Sequence, residues 1–318
     1  SGYYLLGVGT NLKFYIQVGG EYYDITPIRQ IDNLGANPFY PIYSTLASSI
    51  SATTTVLSVA SGTTFTRITP YVITIGTEQI YVPYATGTTL GSTSNPCIRG
   101  YNGTTASAHS TGDTVSSSWL VVSDSGNGAA INDFVTFANA TAFGPYTAAN
   151  LNKEFQIGAA ASGYIAFDVG VQSTGTANGG GSAPVVAYYQ ITTGADFSFF
   201  GNGWGAGPWN GNHGWNTGYS GGGIYEALRL WSSDNFGQDL FYNPRGGGIY
   251  YWPAGSCLNS GGQVVAASGY PEGRGVNITS ATFATVAATA LIQGNTYKIT
   301  STGTSNFTLV GASSNTVG

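Results

Sequence analysis

Three features of this sequence predict an all-β fold made of several small antiparallel β-sandwich or barrel modules with long glycine-rich loops. Short runs rich in Val, Ile, Thr, Tyr and Phe recur along the chain, and each run ends at Gly, Asn or Pro. Helix signals are nearly absent, because no window of about 12 residues combines apolar positions at helical spacing with plausible caps. The 318 residues are 42% hydrophobic and include 48 glycines, which suits packed cores with many turns and, as a prior, two or three domains.

The N-terminal hairpin is the clearest single element. Residues 13–18 and 21–25 are strand-like and flank Gly19 and Gly20. A glycine pair supplies the positive φ that a two-residue hairpin turn requires. Further strands are predicted, in chain order, at residues 71–75, 79–84, 133–137 and 297–300.

Changes in composition divide the chain into regions. The Tyr-rich residues 1–45 and the alternating strands of residues 117–200 are expected to form one N-terminal β domain. The Thr/Ser-rich residues 46–116 are expected to be a small β module inserted into it, with its two ends close together in space. Residues 201–275 are predicted to be a Gly/Trp-rich loop and turn region, and residues 276–318 a C-terminal β module that is expected to be truncated.

Charge and cysteine content exclude several classes of function. Nine basic and fourteen acidic residues give a net charge of −5, and without a Lys/Arg cluster that could follow a phosphate backbone, direct nucleic-acid binding is not expected. Residues 281–292, the most apolar long stretch, are about half as long as a membrane-spanning helix. Cys97 and Cys257 match no metal-binding spacing. We therefore predict no metal site, no cofactor and no membrane span.

The low proportion of charged residues favours self-association. Only 7% of the residues are charged, against about 25% in ordinary soluble domains. Electrostatic repulsion between copies is therefore weak. We predict a homo-oligomer with cyclic symmetry that packs permanently against copies of itself.

The Gly/Trp segment at residues 201–223 carries candidate contact residues. Trp204, Trp209 and Trp215 are separated by glycines, and loops of this length usually bind something or are ordered by a partner. Two interpretations remain open. The tryptophans anchor a subunit contact, which we favour because Trp is enriched at interfaces, or they stack on the sugar rings of a receptor. The same predicted interface also includes Trp231, Tyr250 and Trp252.

Three charged residues are predicted to fix turns in this region. Asp234 with Asn235 is expected to cap a turn through side-chain-to-backbone hydrogen bonds, and Asp239 is expected to pair with Arg245. The spacing of the two aspartates fits no known acid/base or calcium-loop pattern, so a glycosidase pair and a metal site are disfavoured.

One motif formally suggests a hydrolase. Residues 218–222 match G-x-S-x-G around Ser220. That nucleophile elbow requires a preceding strand, a following helix and a later histidine, whereas His109 and His213 both precede the serine. His109 is interpreted as a hydrogen-bonding turn residue, because one histidine makes no metal site. The sequence therefore predicts a protein without enzymatic activity.

Several long strings in the sequence resemble a family of large tail proteins from marine and environmental tailed bacteriophages. The strings are LGVGTNLKFY (6–15), YYDITPIR (22–29), LRLWS (228–232), DNFGQDL (234–240) and NPRGGGIYYW (243–252). The resemblance implies a tail hub or nozzle component located in the virion. Its implied partners are copies of itself and other tail proteins, with a host surface receptor as a further candidate.

Two more segments resemble β modules that recur in unrelated phage virion proteins. They carry residues 50–59, IGTEQI (75–80), RGYNGTTA (99–106) and residues 108–115 in the inserted segment, and NTYKIT (295–300) and FTLVGAS (307–313) near the C-terminus. We therefore predict a structural protein of a phage tail. The alternative is a receptor-binding fibre component or a subunit of an extracellular filament, although long fibres usually show tandem repeats or heptads, and neither is visible.

Overall fold

A computed structural model describes residues 6–10, 12–192, 230–245 and 247–278, and it is nearly all β, as predicted. The strands are β1 (Leu6–Gly9), β2 (Phe14–Val18), β3 (Glu21–Asp24), β4 (Ile28–Asn33), β5 (Phe39–Thr45), β6 (Leu57–Ser58), β7 (Tyr71–Ile75), β8 (Glu78–Val82), β9 (Ala85–Thr86), β10 (Thr89–Leu90), β11 (Thr114–Ser123), β12 (Phe134–Ala138), β13 (Glu154–Gln156), β14 (Ala159–Ala161), β15 (Tyr164–Asp168), β16 (Val186–Gln190), β17 (Trp231–Phe236), β18 (Asp239–Pro244), β19 (Tyr250–Trp252) and β20 (Val276–Asn277). The helices are α1 (Ala148–Leu151) and α2 (Ala254–Cys257), with 3₁₀ turns at Tyr101–Gly103 and Pro271–Gly273.

The local predictions for two elements are confirmed. Strands β2 and β3 form the expected antiparallel hairpin, and the turn residues Gly19 and Gly20 have φ values of 61° and 95°. Strand β7 spans the residues predicted for it. The predicted strand at 297–300 lies outside the described residues.

Two sheets form the central sandwich. Strands β14, β15, β11, β7 and β8 make one sheet, in which β5 also pairs with β11, and β13, β12, β16 and β4 make the other. Leu120 and Val122 of β11 face a core shared with the second sheet, whereas Val121 between them belongs to a different core. The same alternation continues on β15, where Phe167 faces the sandwich and Ala166 faces away. Strands buried on both faces account for these continuous apolar runs.

The second core belongs mainly to the inserted segment. The two ends of residues 46–116 lie side by side, since the Leu46 N–H donates to the Asp113 carbonyl over 2.9 Å and the Gly112 N–H donates to the Leu46 carbonyl over 2.8 Å. The core of this segment also includes side chains from outside it: Ile42, Val121, Ala159 and Ala166. The core of residues 46–116 is therefore shared with the domain around them.

A third unit, the C-terminal sheet, corrects the predicted division of the chain. Strands β17, β18, β19 and β20 form an antiparallel sheet where a loop and turn region was expected. Glycine, asparagine and proline around these strands concealed the alternation in β18, where Leu240, Tyr242 and Pro244 are buried and their neighbours are less so. Hairpin β2–β3 packs its Phe14, Ile16 and Val18 against this sheet, although it was assigned to the N-terminal domain.

Contacts along the chain separate residues 1–277 from residues 278–318. The predicted C-terminal module at 276–318 lies almost entirely outside the described residues. Among the described helices, none has the length and hydropathy of a transmembrane helix.

Candidate assembly interface

The inner face of the C-terminal sheet is a stack of aromatic rings closed by the N-terminal hairpin. The ring centroid of Phe14 lies 5.0 Å from that of Trp231 and 4.8 Å from that of Tyr242. The Trp231 indole N–H donates to the Thr10 carbonyl over 2.9 Å. A Cβ atom at Gly9 would lie 2.6 Å from the Trp231 ring, so glycine is required there for β1 to approach the sheet.

Hydrogen bonds to the backbone hold the same inner face. The Tyr242 hydroxyl donates to the Ile25 carbonyl over 2.5 Å, and the Trp252 indole N–H donates to the Gly273 carbonyl over 2.7 Å. Burial raises the pKa of Tyr242 well above its ordinary value, so the phenol is a neutral donor.

These contacts correct part of the predicted interface. Trp252 and Tyr250 are buried by their own chain, and Trp231 is half-buried against the hairpin. Tyr250 and Trp252 fill an internal core, so for these two residues the expected contact with another subunit is wrong. Trp231 keeps part of its surface exposed, and its interface role stays a prediction.

The outer face of the sheet carries a second aromatic row, formed by Phe236, Phe241, Tyr251 and Tyr270. Successive ring centroids are 6.2, 5.0 and 6.4 Å apart. The row crosses the sheet because Phe241 is paired directly with Tyr251 in the β18–β19 register, and directly paired residues point to one face. Phe236 at its end is 73% exposed.

A carboxylate beside this row orients Tyr251. The Asp239 carboxylate accepts hydrogen bonds from the Tyr251 hydroxyl and, over 3.0 Å, from the Ala254 N–H at the start of α2. The hydrogen bond to Asp239, with burial, raises the pKa of Tyr251 to about 12. Asp239 therefore fixes the junction between β18, β19 and α2.

The structure changes the turn-fixing roles that were predicted for Asp234, Asp239 and Arg245. Within the described residues Arg245 forms no ion pair with Asp234 or Asp239, so the expected Asp239–Arg245 pair is wrong. Asp234 lies in β17 and its Oδ1 accepts from the neighbouring Asn235 N–H over 2.8 Å. The turn after β17 depends instead on Gly237, whose φ is 68°.

Strand β17 is the edge of the sheet and leaves one side open. Among the described strands it pairs with β18 alone, and every residue from Ser232 to Phe236 is exposed. The outer aromatic row and this open edge of β17 lie next to each other on the sheet. We refer to them as the outer surface.

Several sequence-predicted residues cannot be placed. Trp204, Trp209 and Trp215 lie outside the described residues, as do Ser220 of the G-x-S-x-G match and His213. Their predicted roles stay predictions.

A buried ionic group, the Lys13 cluster, attaches the hairpin and the C-terminal sheet to the sandwich. Its members are Lys13, Asp24, Glu154 and Arg274. The Lys13 ammonium lies 2.9 Å from Asp24 and also contacts Glu154, and Arg274 lies 3.0 Å from Asp24 and 3.1 Å from Glu154. Burial would raise the pKa of Asp24, but Arg274 and Lys13 outweigh it and lower the pKa. Asp24 is therefore stabilised in its ionised form between two cations.

A second ionic group, the Glu78 cluster, lies in the inserted segment and consists of Glu78, Arg99 and His109. Arg99 binds the fully buried Glu78 carboxylate with two N–H donors at 2.7 and 2.8 Å, and His109 Nε2 lies 2.8 Å from it. Burial would raise the pKa of Glu78, but these hydrogen bonds and those from the Ser107 and Gly100 N–H groups lower it to about 2.

The Glu78 cluster has the geometry of a structural site. The Ser107 hydroxyl and the Glu78 carboxylate both face Nε2 of His109, at 3.3 and 2.8 Å. A catalytic triad needs a carboxylate hydrogen-bonded to the other ring nitrogen, and the Asp113 carboxylate on that side lies 3.9 Å from Nδ1, beyond hydrogen-bond distance. The Arg99 guanidinium also donates hydrogen bonds to the carbonyls of Ser51, Thr54 and Ser107. The cluster thus joins separate loops of the segment.

The described residues contain no group of three or more His, Cys, Asp or Glu side chains arranged to hold a metal ion. In comparisons with known proteins, no family model, no curated protein and no solved structure matches this chain.

Proposed function

We propose that this chain is a non-enzymatic structural subunit of an assembled extracellular particle, and that the particle is a phage virion in which the chain forms part of the tail. The outer surface is the observation that carries the assembly part of the proposal. A partly buried aromatic row that ends at the exposed Phe236, beside an open strand edge, is the kind of surface that marks a protein contact. The tail assignment is supported by the sequence resemblance described above.

The distribution of charge supports permanent association. Five cations are engaged within the chain: Lys13, Arg29, Arg67, Arg99 and Arg274. Arg29 donates to the Asn127 carbonyl over 2.7 Å, and Arg67 lies 4.0 Å from the Tyr40 ring centroid and donates to the Tyr164 hydroxyl. Because these five cations are engaged within the chain, they need not be desolvated when copies pack together.

Light scattering coupled to gel filtration tests the assembly proposal. We expect a defined homo-oligomer at micromolar concentration, and a ring or tube in negative-stain images. The substitution Phe236→Ser should reduce assembly, whereas Tyr22→Ser, at another exposed aromatic residue, is the control and should not. A wild-type monomer would overturn the proposal, and a monomer that binds host cells would favour the receptor-binding alternative.

A further inference from the structure

Strand β17 carries few of the features that normally protect a sheet edge. Its sequence, WSSDNF, contains no lysine and no proline, and its register with β18 runs without a bulge from Trp231 to Phe236. Natural edges are usually shortened, charged or interrupted, because an unprotected edge templates another strand. Asp234 is the one charged residue on this edge.

The register identifies the backbone groups that point away from β18. The Arg245 N–H donates to the Leu230 carbonyl over 2.7 Å, so the even-numbered residues bond inward and the odd-numbered ones face outward. The outward Asn235 N–H is already bonded to Asp234. Within the described residues, the outward groups of Ser233 have no hydrogen-bond partner in the structure.

We propose that a second copy of this chain occupies this edge, with the two β17 strands paired antiparallel about a two-fold axis at Ser233. The Ser233 N–H and carbonyl of each copy then bond to those of the other. This inference rests on the proposed self-assembly and identifies one of its contacts. A two-fold contact closes at a dimer, so a ring or tube also needs a second contact.

Side-chain chemistry favours this register over the two registers that are centred on Asp234 and on Asn235. An axis at Asp234 would set two carboxylates directly opposite each other, which is destabilising. An axis at Asn235 would set Asp234 against Phe236 and desolvate the carboxylate without a donor on the opposite strand. The axis at Ser233 sets Asp234 opposite the Ser232 hydroxyl, a hydrogen-bond donor.

The same register also matches the exposed apolar residues. It places Phe236, 73% exposed, opposite Leu230 of the other copy, 56% exposed, at both ends of the paired strands. Because the axis is perpendicular to the sheet, the outer faces of both copies lie on one side. The two aromatic rows then form one continuous surface on a sheet with four strands from each copy.

Cysteine cross-linking of the full chain tests the register. In the proposed pair the Ser233 Cα atoms are about 5.5 Å apart, within disulfide range, while the Asp234 and Asn235 Cα atoms are farther from their own copies. We expect Ser233→Cys to form disulfide-linked dimers at least tenfold faster than Asp234→Cys or Asn235→Cys. The native Cys97 and Cys257 are buried, so wild type is the background control. The inference is overturned if the cysteine at position 234 or 235 forms disulfide-linked dimers fastest. It is also overturned if no variant forms them faster than wild type.

A backbone test separates this inference from the general proposal. Ser233→Pro removes the outward N–H without removing a bond to β18, whereas Ser233→Ala keeps it. We expect the dimer dissociation constant to rise at least tenfold in the proline variant and to stay unchanged in the alanine variant. If wild type is oligomeric and Ser233→Pro assembles equally well, this edge contact is wrong while self-assembly stands. If wild type is a monomer, both fail.

Discussion

The two buried ionic clusters differ in how far along the chain their members lie. The Glu78 cluster takes its side chains from one stretch, with Glu78, Arg99 and His109 separated by at most 31 positions. The Lys13 cluster joins residues that are much farther apart, since Arg274 contacts Glu154 across 120 positions and the Thr26 carbonyl across 248. The first can stabilise a local segment, while the second can form only after distant parts of the chain have met.

This difference assigns the clusters separate tasks. Loss of the Glu78 cluster should affect the inserted segment first, because its hydrogen bonds connect loops of that segment. Loss of the Lys13 cluster should loosen the hairpin and the C-terminal sheet from the sandwich. Both clusters keep charges paired in the interior, where an unpaired charge is strongly destabilising.

The largest effect is expected from Glu78→Ala, which leaves the Arg99 guanidinium buried without its carboxylate. The free energy of unfolding should fall by about 3–5 kcal/mol, measured by chemical denaturation. Glu21→Ala is the control, because Glu21 is an exposed strand carboxylate, and it should change stability by less than about 0.5 kcal/mol. Equal losses in the two variants would contradict the structural role of the cluster.

Acid should weaken the same cluster in a defined pH window. The pKa of Glu78 is lowered from 4.5 to about 2 in the folded protein, so its contribution is fully present above pH 4.5 and is lost as the pH falls toward 2. The contribution is on the order of 3 kcal/mol. In Glu78→Gln the stability curve should be flatter over this window, while Asp24 contributes equally in both proteins. Parallel curves would contradict the prediction.

Arg274→Met should have a smaller and more local effect. Lys13 remains beside both carboxylates, so we expect a loss of about 2 kcal/mol. Hydrogen exchange should accelerate in residues 14–25 and 239–252 and stay slow around Glu78. Uniform acceleration across the described chain would show that the two clusters are not separate.

The smallest effect is expected from Tyr242→Phe. It removes one buried hydroxyl that donates to the Ile25 carbonyl and should cost about 1 kcal/mol, measured by thermal unfolding. Tyr22→Phe, at an exposed ring, is the matched control and should be neutral. A loss of the same size in both variants would indicate that the Tyr242 hydrogen bond contributes nothing.

Elements that depend on residues close together in the sequence were predicted, whereas those that depend on distant residues were missed. The β2–β3 hairpin and β7 were predicted because their patterns and turns are local. The C-terminal sheet was missed because the glycines and proline around Phe241 and Tyr251 indicate turns, although the alternation in β18 and the run 250–252 carried a period-two signal. Neither ionic cluster was predicted, since nothing near Lys13 or Glu78 in the sequence identifies a partner many positions away.

Strand β11 connects two cores, with Leu120 and Val122 in the sandwich core and Val121 in the core of the inserted segment. If either core unfolds, β11 loses the side-chain packing on one of its faces. The other core is then destabilised, because β11 also forms part of it. The two cores should therefore melt cooperatively, and calorimetry should record one transition for residues 28–192 even though the inserted segment has its own polar network. The packing of residues 28–192 is therefore lost or kept as one unit.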